Sequence, residues 1–134
     1  MAAAARGLRT TRVSPVRGIL FDSPLSRLGY LYATAVGLVW GFVWSTGRVQ
    51  RRDGLFVFTG MPTWTFGRGG SCVGGCYLTA HNVSNDVLEH EAVHKQQWLR
   101  YGFLFPLLYF IAGRDPLKNR FEIEAGLEKG GYLR

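Results

Sequence analysis

Between Arg27 and Arg48 the chain runs for twenty residues without a charge, LGYLYATAVGLVWGFVWSTG, from Leu28 to Gly47. Twenty helical residues rise about 30 Å, the thickness of a bilayer's hydrocarbon core. Tyr30 and Tyr32 near one end, and Trp40 and Trp44 near the other, suit the two membrane interfaces. Arg27 at one edge and Arg48, Arg51 and Arg52 at the other suit phosphate headgroups. The expectation is a single transmembrane helix over 28–47, with a buried helix or a pair of strands in a cytoplasmic domain as the alternative. Basic residues flank both ends almost equally, so the topology stays open. Gly29, Ala33, Gly37, Gly41 and Ser45 recur every four residues, a small-residue ridge that would let a partner helix approach closely.

Past this segment the pattern shortens. Asp53-Gly54 is a turn signal, followed by strand-like runs over 55–59 and 76–80, with 63–66 a weaker third. Residues 67–75 hold five glycines and are expected as loop. Asp86 as N-cap, Glu89 three residues on, and Gly102 as terminator predict a helix over 87–101. Residues 103–112, ten apolar positions interrupted by Pro106, are too short to span a bilayer and suit a buried or membrane-surface segment. Asp115-Pro116 opens a last helix, closed by Gly130-Gly131. The fold class is α+β: short antiparallel strands, two helices after them and one long helix before. The expected organisation is a basic arm at 1–27, the membrane helix at 28–47 and a minimal domain at 53–134.

Length and composition narrow this further. The 134 residues allow one compact domain, and 47% apolar content excludes wholesale disorder. The net charge of +7 raises nucleic acid or membrane as partners. Residues 1–71 contain nine Arg, Asp22 and Asp53, which accounts for all of it, while residues 72–134 balance seven bases against seven acids. Residues 1–21 carry four Arg and no acid, as a solvated arm or a targeting segment does. No aromatic residues are interleaved with these Arg for base stacking. Membrane lipid is therefore expected as a partner, and nucleic acid is not.

Cys72 and Cys76 are the only cysteines. Their C-x3-C spacing matches neither the redox C-x2-C nor half of a standard zinc knuckle. Two free thiols, a small-loop disulfide if the chain is exported, and metal ligation with His81 all remain open, and a thiol redox protein using both cysteines is a further functional alternative. An iron–sulfur cluster normally takes four thiolates, twice what one chain supplies.

The chemistry concentrates in His90-Glu91-Ala92-Val93-His94, the H-E-x-x-H pattern, inside the helix expected over 87–101. Positions i and i+4 share a helix face, so both imidazoles can reach one zinc ion at about 2.1 Å. Glu91 can then take a proton from a water and pass it to a leaving amine. With three His and five Glu in the chain, chance yields this pattern roughly 0.002 times. No His follows His94, so a third ligand must be a carboxylate, drawn from Glu122, Glu124 and Glu128. Glu122 and Glu124 face about 200° apart on a helix, so both cannot point at one metal.

His90 to Gln97 in the pattern H-E-x-x-H-x-x-Q, followed by E-x-x-A on a later helix, resembles the glutamate-ligand zincins (gluzincins). The chain is similar to small bacterial proteins of this kind through Gly69-Gly70, Tyr77-Leu78, Leu88, Gln97-Trp98, Gly102 and the segment Asn119 to Ala125. The resemblance covers about residues 55–132. It implies a zincin-like fold with Zn2+ held by His90, His94 and Glu122, Glu91 as catalytic base, and a peptide or protein as substrate. Glu122 follows from the family's register, which sets the ligand three before Ala125. Gln97, Glu124 and Tyr109 would be supporting residues, Tyr109 as an oxyanion stabiliser. Gly126 stands where the family often has an aspartate that partners a ligand His. A membrane-anchored metallopeptidase is the first expectation, and a non-catalytic, metal-stabilised subunit of a membrane complex the second.

Overall fold

The computed structural model describes residues 22–47 and 49–133. The arm expected over 1–27 lies outside these up to residue 21, as does Arg48.

The first helix, α1 (Pro24–Trp44), starts earlier than the uncharged segment because Ser23 caps it. The Ser23 hydroxyl accepts from the Ser26 amide at 3.2 Å, and the Ser26 hydroxyl accepts from the Ser23 amide at 2.8 Å. This reciprocal box, with Pro24 in the first turn, outweighs the hydropathy boundary. Four short strands follow: β1 (Gln50–Arg52), β2 (Leu55–Phe58), β3 (Ser71–Val73) and β4 (Cys76–Leu78). Asp53 and Gly54 both have positive φ, 52° and 77°, the backbone of a tight primed hairpin turn that pairs β1 with β2. β1 was not expected, because its QRR sequence is polar and only the pairing makes it a strand.

The sheet order is β1-β2-β4-β3, and β2 pairs with β4 in parallel. The expected all-antiparallel arrangement is thus corrected to a mixed one. Residues 63–66 do not form a third strand either; Thr63–Thr65 make a 3-10 turn after Pro62. That turn and the glycine-rich stretch carry the chain across to the far edge. There Ser71–Val73, expected as loop, pair with β4 around a turn at Gly74.

Helices α2 (Asn85–Tyr101), α3 (Phe105–Ala112) and α4 (Arg120–Ala125) complete the chain. α2 begins one turn-fraction early, because Ser84 and not Asp86 caps it by accepting from the Val87 amide. Gly102, at φ 59°, ends it as expected. The last helix is far shorter than 115–131: Asn119 caps it and Gly126, at φ 103°, stops it.

The sheet lies between α1 and α2. Leu55, Val57 and Tyr77 meet Val87 and Leu88 of α2 on one face. Phe58, Cys76 and Leu78 face the α1 side, packing with Leu38 and Trp44. The small-residue ridge of α1 points into this interface: Gly29, Ala33, Gly37 and Gly41 are all buried. A Cβ on Gly29 would sit 2.4 Å from the Phe103 amide nitrogen, and one on Gly41 would meet the Phe58 ring at 2.6 Å. The ridge expected to receive a partner helix is filled by the chain's own sheet and by the Gly102 turn. No helix among the described residues is long and apolar enough to cross a membrane.

Gly29→Leu should destabilise the protein by at least about 2 kcal/mol, since the clash is with backbone that cannot rotate away. Thermal unfolding reads this as a drop of roughly 5 °C or more. Ala35→Leu, on the exposed side of the same helix, should leave the midpoint unchanged. Equal midpoints for both variants would refute this packing.

The two cysteines fall on opposite faces of the sheet. Cys72 registers with Tyr77 and packs toward α2, where its thiol donates to the Glu91 carbonyl at 3.6 Å. Cys76 sits on the α1 face and donates to the Thr34 carbonyl at 3.5 Å. Both are free thiols, and burial pushes Cys72 well above the ordinary range and Cys76 up to about 12. The disulfide reading fails because the sheet separates the sulfurs, and His81 lies exposed and outside any ligand cluster of the described residues.

Candidate metal centre

One face of α2 turns away from solvent. His90, Glu91, His94 and Gln97 are all buried, at spacings that place them along a single helical stripe. α4 crosses above this stripe and delivers Glu122, also buried. Its position is fixed by Asn119, a fully buried side chain with every polar group engaged. The Asn119 Oδ1 accepts from the Phe121 and Glu122 amides, while its Nδ2 donates to the carbonyls of Tyr109 and Gly113. One asparagine therefore caps α4 and ties it to α3.

Three ligand-type atoms converge. His90 Nε2 lies 2.9 Å from Glu122 Oε1, His94 Nε2 lies 3.0 Å from the same oxygen, and the two Nε2 atoms are 3.1 Å apart. The protons on these rings are assigned by the partners of the other nitrogens. His90 Nδ1 lies 2.7 Å from the Gly126 carbonyl, which can only accept, so Nδ1 carries the hydrogen. His94 Nδ1 lies 2.7 Å from Gln97 Oε1. The orientation of that amide is set by its other end, where Nε2 donates to the Phe121 carbonyl at 3.0 Å and Glu124 Oε1 at 2.7 Å. With Nδ1 as the donor, each imidazole turns its Nε2 toward the same carboxylate oxygen.

Three lone-pair atoms in mutual contact repel unless a cation lies between them. A proton on His94 relieves its contacts with Glu122 and His90, yet leaves the His90–Glu122 pair unbridged. A metal ion relieves all three. Tetrahedral zinc with bonds near 2.0–2.1 Å separates its ligand atoms by about 3.3 Å, close to the spacing found here. Among the described residues this is the group of His, Cys, Asp and Glu side chains that could hold a metal ion, and all three members are buried.

The electrostatics follow from the same contacts. Burial opposes ionisation of Glu122, but the bonds to His90, His94 and Tyr109 hold its carboxyl well below the usual range. Burial lowers His94, and the Glu122 carboxylate overrides it, leaving the imidazole above its ordinary value. Glu91 stands beside the cluster, its carboxylate 4.0 Å from His90 Nε2. Burial pushes it up to about 7, against the pull of the two imidazoles. A carboxyl at that level exchanges protons near neutral pH, as a general base must.

A cleft of about 590 Å³ opens onto these groups, lined among others by Arg68, Cys72, Glu91, His94, Tyr109 and Tyr132. The Tyr109 hydroxyl donates to Glu122 Oε2, the oxygen turned away from the histidines. Arg68 lies 3.7 Å from the same oxygen and bonds to the Tyr109 and Tyr132 hydroxyls and the Arg114 carbonyl. In this geometry Tyr109 bonds Glu122 and also lines the cleft. Gln97 links His94 to Glu124, whose Oε1 accepts from the Gln97 amide and which is not part of the three-residue cluster. The Gly126 carbonyl partners His90 Nδ1.

Arg68 and Tyr132 carried no motif in the sequence. A single cation in a neutral glycine-rich stretch was the available signal for Arg68, and only tertiary folding brings it to Glu122. No protein-family model matches the chain, and no curated protein or solved structure matches it either.

Proposed function

We propose that this chain is a zinc metallopeptidase-like protein of the glutamate-ligand zincin type, with His90, His94 and Glu122 as ligands and Glu91 as general base. The observation that carries the reading is the convergence of His90 Nε2, His94 Nε2 and Glu122 Oε1 within 3.1 Å of one another, with both Nδ1 atoms held by oxygen partners. When bound, zinc supplies Lewis acidity that polarises a carbonyl and acidifies water. The remaining work belongs to the chain's side chains. Glu91, lining the cleft, accepts the proton of the attacking water and returns it to the leaving amine. Gln97 and the Gly126 carbonyl keep both Nε2 atoms turned inward, as partners behind metal ligands do. Tyr109 and Arg68 hold the outer oxygen of Glu122, so that Oε1 faces the two imidazoles. The apolar wall formed by Trp98, Phe105 and Phe110 suits a peptide with a hydrophobic side chain.

The test is hydrolysis of a peptide library rich in hydrophobic residues by the full chain loaded with zinc. Cleavage that a chelator abolishes and added zinc restores is the expected result. Zinc-loaded protein that cleaves nothing would reject the peptidase and leave the second reading, a metal-stabilised subunit.

A further inference from the structure

We infer that the protein seats itself in the plane of an anionic membrane surface, through the outer face of α1 together with α3, and does not span it. The face of α1 opposite the glycine ridge covers about 140° of the helix and contains no charged group. Leu31, Val39 and Phe42 on it are 60%, 65% and 65% exposed. Large apolar side chains left in water along a whole helix mark a surface that something covers. The patch continues beyond α1, because the Tyr32 ring packs on Phe103 at 5.7 Å, just before α3. There Leu107, Phe110 and Ile111 are exposed, the last two by about 70% (71% and 70%).

Two observations select a lipid surface. First, α1 is fastened to the rest of the molecule along its full length. Gly29 abuts the Gly102 turn, Gly41 abuts Phe58, and the Ser45 hydroxyl donates to the Thr59 carbonyl. A helix so fastened cannot cross a bilayer unless the sheet and its charged hairpin enter the hydrocarbon as well, which their polar groups forbid. It can lie flat with its apolar side down. Second, the charge complements anionic headgroups. Among the described residues, exposed Arg27 stands at the start of α1 and exposed Arg51 in the hairpin beyond its end. A second copy of the chain docking antiparallel on the same face would bring Arg27 and Arg51 of the two copies together, so self-association is disfavoured.

The seat also sets where substrate would come from, a consequence that rests on the peptidase reading. Phe110 belongs to the apolar patch and also lines the cleft beside Tyr109. Docking places the mouth of the cleft at the lipid boundary, within reach of peptide segments lying at the bilayer surface.

The experiment is sedimentation of the full chain with vesicles of phosphatidylcholine alone or of phosphatidylcholine containing phosphatidylglycerol. The wild type should partition onto the anionic vesicles and less onto the neutral ones. The double variant Leu31→Glu, Val39→Glu should bind roughly tenfold less or weaker, with bound metal and melting midpoint unchanged. Wild-type protein that stays in the supernatant with both vesicle types would overturn the proposal. So would undiminished binding by the double variant, or a lipid-free wild-type dimer that the double variant converts to monomer. Metal content is read in the same samples, so failure of membrane binding is distinguishable from failure of the metal site.

Discussion

Glu91→Gln should leave zinc bound at the wild-type level and reduce peptide hydrolysis by about 10²–10⁴-fold, the usual contribution of a positioned general base. The amide is close in size to the carboxylate, so the burial and packing of this position on α2 are kept. What is lost is the ability to take a proton. The Glu91 carboxylate lies 4.0 Å from His90 Nε2 and makes no ligand-type contact with the cluster of three, so metal retention is the discriminating half of the result. Loss of activity together with loss of metal would show Glu91 to be part of the metal-holding structure and would remove it as the base. Full activity in Glu91→Gln would also remove it.

His94→Ala should both empty the site and destabilise the fold. A bound metal would join α2 to α4, adding to the Asn119 clamp and the packing of Phe121 that already hold this six-residue helix. A ligand present at a thousand times its dissociation constant stabilises by about 4 kcal/mol, a shift on the order of 10 °C for a domain of this size. Stripping the wild type with a chelator should lower the unfolding midpoint by a similar amount, while His94→Ala should show no further change on chelation. A midpoint that does not respond to chelation in the wild type would mean that the three side chains are held together without an ion.

The helix that carries His90, Glu91 and His94 was largely legible in the sequence. Its signals are local: Gly102 must adopt a positive φ to end it, and His90, Glu91 and His94 share a face by periodicity alone. The angle between positions 122 and 124 says only that both cannot point at one metal, but Glu122 was also reachable, through the register of the resemblance that sets the ligand three before Ala125. Its setting was not. The Asp115-Pro116 signal suggested a helix fifteen residues long, whereas the turn there is followed by a second cap at Asn119, whose side chain satisfies four backbone groups. Sequence periodicity carries no trace of such a tertiary clamp.

The glycine ridge of α1 illustrates the opposite failure. Its spacing correctly signals a close backbone approach, but spacing is silent on whether the neighbour is another helix or, as here, the chain's own sheet and turn. The outer face of the same helix, equally apolar, is the part left uncovered. The cysteines were ambiguous for a related reason. Two sulfurs four residues apart look adjacent in sequence, yet the hairpin turn at Gly74 puts them on opposite faces of the sheet. Arg68 became a candidate only when the glycine-rich stretch folded over Glu122.

Elemental analysis of the purified chain, alongside Glu122→Ala and Glu124→Ala, tests the metal centre most directly. One zinc per chain is expected in the wild type and in Glu124→Ala, with none held by Glu122→Ala after dialysis. A wild type without stoichiometric metal, or zinc retained by Glu122→Ala and lost from Glu124→Ala, would contradict the account.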